Sequence, residues 1–180
     1  MDAKIITPAR FQDERGFFSE TWNHKRFCEE VADVSFVQDN HSMSNEAGTV
    51  RGLHFQAPPF AQAKLVRCGR GRLFDVAVDI RKGSPNYGKW IGEELSFENG
   101  KQMFIPTGFL HGFVTLEPFT EIIYKCSNFY HFASEGCVKF DDPEINIEWP
   151  LDMSKALVSE KDASALRLSQ IDNPFSVEDF

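Results

Sequence analysis

The feature that most constrains this chain is the spacing of its short β-like runs. "AKLVRC" is followed by "GRG" and then "RLFDVAVDI", which reads as two strands joined by a glycine-bearing hairpin loop. In the second arm Phe74, Val76, Val78 and Ile80 share one face, and Leu73, Asp75, Ala77 and Asp79 share the other. Further runs, "KWIGEELSF", "QMFIP", "HGFVTL", "EIIYKCS" and "CVKF", are separated by Gly, Pro and Asn turns. Short strands at this spacing predict an all-β sandwich or barrel. Helix signals are few. "NHKRFCEEVAD" offers Asn23 as an N-cap, and "SEKDASALRL" opens with Ser159 followed three residues later by Asp162, a capping-box pattern. From about residue 173 the chain reads as weakly ordered. The expectation is one mainly-β domain over residues 1–180 with a few short peripheral helices.

Charge and composition narrow the partners. A formal net charge of -8 makes nucleic acid and anionic membrane poor partners, so an anionic ligand must be met by a local group of Arg and Lys. The 18 phenylalanines predict a large aromatic interior. Four cysteines with no C-x-x-C pair suggest reduced, mostly core thiols in a reducing cytoplasm. The start, "MDAKIITPARF", lacks the apolar stretch of a secretory signal, and no run has the length of a membrane span. A soluble cytoplasmic protein is therefore expected.

The stretch "RGLHFQ" poses the chemical question. At strand period Leu53 and Phe55 point one way, and His54 and Gln56 the other. A lone strand histidine is usually structural. Here, however, Arg51 precedes it, Lys64 heads the next strand, and "IPTGFLHGF" supplies His111. If these strands line one barrel, two imidazoles, a lysine and an arginine converge on one pocket. A metal is not expected, because Gln56 stands two after His54 and no third nitrogen or carboxylate lies at matching spacing. Tyr124 shares a face with Ile122 and Cys126, as a core tyrosine or as a partly buried general acid. Asp162 either completes a helix cap or holds one tautomer of His54, and spacing does not choose between the roles. "FQDERGFFSE" is a turn between strands, or else it sets Arg15 to contact a diphosphate in bidentate fashion. "FVQDNHS" is a polar cluster, uninformative alone. A dinucleotide-binding G-x-G-x-x-G fingerprint is absent, in keeping with chemistry that needs no redox cofactor.

Taken in order, "FQDERGFFSE", "FVQDNHS", "RGLHFQ", "QAKLVRCGRGRLFDVAVDIRKGSPNYGKW", "IPTGFLHGF", "EIIYKCSNFY", "DDPEINIEWPL" and "VSEKDAS" resemble the dTDP-4-dehydrorhamnose 3,5-epimerase family. The match runs from near residue 11 to about 165, and the combination is far more specific than any one segment. The resemblance implies a cupin-type jelly-roll barrel that binds no metal, uses no cofactor and forms a homodimer. It implies His54 as base, Tyr124 as acid, Asp162 orienting His54, and Lys64 and His111 near the sugar's keto group. Arg15, Glu20, Gln38, Asn40, Arg51, Glu135 and Lys161 match the family's nucleotide and sugar contacts. Tyr130 corresponds to the tyrosine that stacks on the base, and the stretch Gln38, Asp39, Asn40 would read the pyrimidine. The implied substrate is a nucleotide-diphospho-4-keto-6-deoxyhexose, most simply a dTDP sugar inverted at C3 and C5. A single-centre epimerase, or one taking a CDP- or GDP-linked sugar, would carry the same base and acid. The chain departs from the family's usual pattern at Phe129, Tyr130, His131 and Phe132, where Tyr-Tyr-Ala-Pro is commoner, and at the turn Gly71-Arg72.

Overall fold

The computed structural model describes residues 2–179. In chain order its elements are β1 (Lys4–Ile6), β2 (Phe11–Asp13), β3 (Gly16–Phe18), α1 (His24–Glu30), β4 (Gln38–Ser44), β5 (Val50–Gln56), β6 (Lys64–Arg70), β7 (Arg72–Asp79), β8 (Trp90–Ser96), β9 (Gln102–Ile105), β10 (Phe109–Thr115), β11 (Thr120–Cys126), β12 (Glu135–Cys137) and α2 (Glu160–Ala163). One antiparallel sheet has the order β1-β9-β6-β11-β4 and a second has the order β12-β5-β10-β7-β8. Packed face to face they make the expected jelly roll. β2 and β3 pair only with each other, as a separate ribbon.

Strand alternation sorts the side chains into three apolar groups. Val66, Cys68, Met103, Ile105 and Ile122 from the first sheet meet Leu73, Ala77, Leu95 and Phe113 from the second, filling the space between them. On the outer face of the second sheet, Leu53, Val76, Val78, Ile80 and Leu110 are covered by Val138, Ile145, Leu168 and Phe175. On the outer face of the first, Leu65 and Phe104 are covered by Phe27 of α1 and by Ala32. The two faces read from "RLFDVAVDI" are therefore both buried, one between the sheets and one beneath the C-terminal segment. α1 forms where expected, with the Asn23 side chain accepting from the Arg26 N–H.

Three expectations are corrected. β6 and β7 are not a hairpin: β6 pairs with β9 and β11, whereas β7 pairs with β10 and β8. The chain passes from one sheet to the other at Gly71, whose φ is +72° and where a Cβ would lie 2.6 Å from Thr120 Oγ1. Both strands turn apolar residues onto the same interior, and crossing over buries both faces, which edge-to-edge pairing would not. The end of the chain is also docked rather than weakly ordered. Phe175 is 1% exposed and packs edge-on against Phe55 at 5.7 Å, while backbone bonds join Lys82 to Phe175 and Val177. Full burial of one such ring stabilises by roughly 1.5–3 kcal/mol, enough to hold a short tail. The second helix stops at Ala163, because the chain then runs beside Val138 through a bridge at Leu166 and buries Leu168.

Candidate active site

The inner faces of the two sheets are not wholly apolar. Toward one end, His54, Lys64, His111, Tyr124, Arg51 and Asp162 line a cavity of about 530 Å³, with Leu157 to Ser159 closing one side. A neighbouring cavity of about 330 Å³ shares His54, Lys64 and Tyr124 and adds Gln38, Asn40, Tyr130 and Glu135. Together they form one elongated cleft.

The backbone brings the two histidines together. β10 pairs with β5 so that His111 stands directly opposite His54, and the register then slips so that Phe113 meets Arg51. Strict alternation would place Arg51 and His54 on opposite faces, since they are three residues apart. The slip at Gly52 sets both toward the cleft. Glycine is required there: φ is +135°, and a Cβ would sit 2.5 Å from Gly112 Cα on the adjoining strand.

Each imidazole is held by a carboxylate. His54 Nε2 lies 2.6 Å from Asp162 Oδ1, and His111 Nε2 lies 2.7 Å from Asp75 Oδ1. A carboxylate accepts only, so each Nε2 carries the proton and Nδ1 keeps the lone pair. Asp162 also accepts from the Gly52 N–H at 3.3 Å and from the Cys137 thiol at 3.6 Å. Burial pushes the Asp162 carboxyl up, but the hydrogen bond and charge of His54, with the Gly52 and Cys137 bonds, outweigh this and hold it below the usual range. The two roles weighed for Asp162 are divided within the residue. Its backbone N–H is capped by Ser159 Oγ at 3.1 Å, while its side chain reaches His54. Cys137 is kept as a thiol, pushed up to about 12 by burial and by the neighbouring Asp162.

Opposite, on the first sheet, Lys64 and Tyr124 face the histidines. β11 sets Tyr124 beside Asn40 and Val66, and Cys126 beside Lys64, all directed inward. The Lys64 ammonium lies 5.9 Å from the Tyr124 ring centroid. Burial lowers the Lys64 ammonium below an ordinary lysine, against the opposing pull of Cys126, Asp75 and Glu135. Burial likewise raises the Tyr124 phenol, so it remains protonated, and burial lowers His111, which stays neutral despite Asp75.

The remaining expected residues divide clearly. Gln38 accepts from the Tyr130 N–H at 2.9 Å and donates to Asn40 at 3.0 Å, and the Tyr130 hydroxyl donates to Glu135 at 3.5 Å. Lys161 completes that rim, 2.5 Å from Glu135. Gln56 also faces inward but is used structurally, accepting from the His131 N–H and donating to the Phe129 and Phe60 carbonyls. Asp39 faces the other side of β4 and pairs with Lys125 at 2.8 Å, away from Gln38 and Asn40. Arg15 and Glu20 are not brought into the cleft. Arg15 is 85% exposed on the β2–β3 ribbon and pairs with Asp13, and Glu20 lines a separate groove beside Trp22. Asp75 and Cys137 were not singled out from sequence. The signal for Asp75 was present, as a carboxylate on the same strand face as Leu73 and Ala77. Cys137 carried none, since its place beside His54 comes from the pairing of β12 with β5.

Comparison with known proteins accords with this geometry. Residues 1–170 match the family model for dTDP-4-dehydrorhamnose 3,5-epimerase. The chain is 54% identical over 170 residues to the dTDP-4-dehydrorhamnose 3,5-epimerase of Sinorhizobium fredii, covering 94% of this chain and 87% of the relative. It is 52% identical to that of Salmonella typhimurium, with coverage of 94% and 92%. Among solved structures, a dTDP-6-deoxy-D-glucose-3,5-epimerase from Legionella pneumophila in complex with dTDP-4-keto-L-rhamnose superposes with a TM-score of 0.90. That protein is 47% identical, and the match covers 94% of this chain and 89% of the other. With its jelly roll, its paired histidines and a match along almost its whole length, the chain belongs to the dTDP-4-dehydrorhamnose 3,5-epimerase family.

Proposed function

We propose that this chain epimerises a dTDP-linked 4-keto-6-deoxyhexose at C3 and C5 without a cofactor, using His54 as base and Tyr124 as acid. The observation that carries the reading is the position of His54 on one sheet, paired with Asp162 of α2, and of Lys64 and Tyr124 on the other sheet, all lining a single cavity. A hydrogen alpha to a ketone is acidic because the resulting carbanion spreads onto the carbonyl oxygen. His54 Nδ1 takes that proton, and Asp162, accepting from Nε2–H, stabilises the imidazolium that forms. The Lys64 ammonium stabilises the enolate oxygen, an electrostatic contribution typically worth about a hundred- to a thousandfold. Tyr124 returns a proton from the opposite face, which inverts the centre. A protonated phenol and a charged lysine suit these roles, so turnover should fall at alkaline pH once Lys64 loses its proton, earlier than for an ordinary lysine.

The rim of Gln38, Asn40, Tyr130 and Glu135 suits the nucleotide end, with Tyr130, 55% exposed, free to stack on a base. Arg15 and Glu20 join the site only if the β2–β3 ribbon reaches a second copy of the chain. Phe11 and Phe18 on that ribbon are 66% and 69% exposed, which supports a homodimer. Sedimentation should show a dimer, and a monomer at assay concentration would remove Arg15 and Glu20 from the site.

The test of the reaction is solvent deuterium incorporation. Incubation with dTDP-4-keto-6-deoxy-D-glucose in deuterium oxide should label both C3 and C5. Label at one carbon would make it a single-centre enzyme, and no label at either would refute the proposal.

A further inference from the structure

Cys137 has no part in the proposed chemistry, yet its sulfur lies beside the base. β12 pairs with β5 so that Cys137 stands opposite His54, on the side away from His111. Its Sγ is 3.6 Å from Asp162 Oδ1, and the same oxygen is 2.6 Å from His54 Nε2. One ligand atom from each of the three residues lies within 4.8 Å of the other two, and among the described residues this is the one such trio. An imidazole nitrogen, a thiolate and a carboxylate are the donors that zinc and cobalt take, with three protein ligands leaving a fourth position for water.

We propose that His54, Cys137 and Asp162 form an inhibitory site for a thiophilic divalent cation such as Zn²⁺. The hydrogen-bonded contact between His54 and Asp162 must widen to admit an ion roughly 2.0–2.3 Å from each ligand atom. Three metal bonds replace that hydrogen bond and the weaker one from the Cys137 thiol to Asp162. The atoms balance simply. Cys137 gives its S–H proton to solvent as the metal–sulfur bond forms. The incoming ion displaces the Nε2 proton of His54 and the ring takes one at Nδ1, a change of tautomer with no net loss. The proton from Cys137 is therefore the one released per ion bound. Nδ1 is the atom proposed to take the sugar's proton, and as an N–H it no longer has a lone pair to do so. The cation thus silences the base without filling the place of the sugar.

Loss of turnover on metal binding rests on the epimerase reading, whereas the metal–sulfur bond does not, and the experiment reads both. Full-length protein is titrated with Co²⁺, following thiolate-to-cobalt charge-transfer absorption, and separately with Zn²⁺, following deuterium exchange into substrate. The wild type should show the absorption band at one cobalt per chain, and zinc inhibition that EDTA reverses. Cys137→Ser should lose the band and need about tenfold or more zinc for half-inhibition, measured against its own uninhibited rate. A rival thiol site exists on α1, where Cys28 Sγ lies 3.6 Å from His24 Nδ1. Cys28→Ser should change neither readout. Retention of the band in Cys137→Ser, its loss in Cys28→Ser, or equal zinc sensitivity of wild type and Cys137→Ser would each overturn the site. A cobalt band that depends on Cys137 in a protein with no exchange activity would uphold the site and refute the epimerase reading.

Discussion

Two histidine–aspartate pairs stand side by side in this cleft, and they are built from the same parts to different ends. The His54 side chain is 28% exposed and its carboxylate comes from a separate helix, with both oxygens of Asp162 engaged. The His111 side chain is 8% exposed and Asp75 is fully buried on the next strand, where its Oδ2 has no hydrogen-bond partner among the described residues. The open pair can exchange protons with substrate and solvent. The sealed pair borders the cleft but is shielded from water, and burial keeps its imidazole neutral. With Nε2–H committed to Asp75, His111 presents a lone pair, suited to accept from the Lys64 ammonium or a sugar hydroxyl rather than to donate to an enolate. One motif thus suits the base proposed for His54 or a positioning role for His111, according to its access to water.

The comparison can be broken most directly by removing each ring in turn. His54→Asn should lower deuterium exchange by roughly a thousandfold or more, whereas His111→Asn should cost about ten- to a hundredfold and leave both carbons labelled. Equal losses would mean that the two pairs are not specialised. An effect smaller than that of His54→Asn is expected at Asp162. Asp162→Asn keeps the shape but removes the charge that fixes the tautomer, lowering kcat by about a hundredfold with little change in KM. The same variant tests stability. Because the Asp162 carboxyl is held below its ordinary range in the folded state, its stabilising contribution is complete above that range and lost as pH falls through the depressed value. The acid-side decline in Tm should therefore flatten in Asp162→Asn, and an unchanged profile would contradict the pairing. The smallest effect is expected at Asp75. Asp75→Asn should slow turnover by about tenfold or less by loosening His111. It should also move the alkaline limb of kcat/KM to lower pH, because Asp75 is one of the negative groups that sustain the Lys64 charge. A limb shifted upward, or not at all, would separate Asp75 from Lys64.

Much of this was legible in the residues. The two faces of β7, the cap of α1 and the neighbours that share a strand face with His54 and Tyr124 all follow from strand and helix periodicity, which is local. The false hairpin at Gly71 shows the limit of such reading. A glycine corner between two strands looks the same whether they pair or part, and the choice depends on β9, β10 and β11, which arrive later in the chain. The docked tail has the same cause, since Phe175 is ordered by a surface on β5 and β7 that no neighbouring residue announces.

The alternation of apolar and polar residues determined, by itself, that this chain would form short strands of a mainly-β domain, with His54 and Gln56 on one face of their strand and Leu53 and Phe55 on the other. Only the tertiary structure decided that His54, Lys64 and Tyr124 share one cleft, that a slip at Gly52 brings Arg51 round to His54, and that Asp162, from 108 residues away, reaches the imidazole. The physical reason is that side-chain direction is set by backbone dihedrals within a few residues, whereas proximity is set by which strands pair. That pairing is a property of the buried interior as a whole.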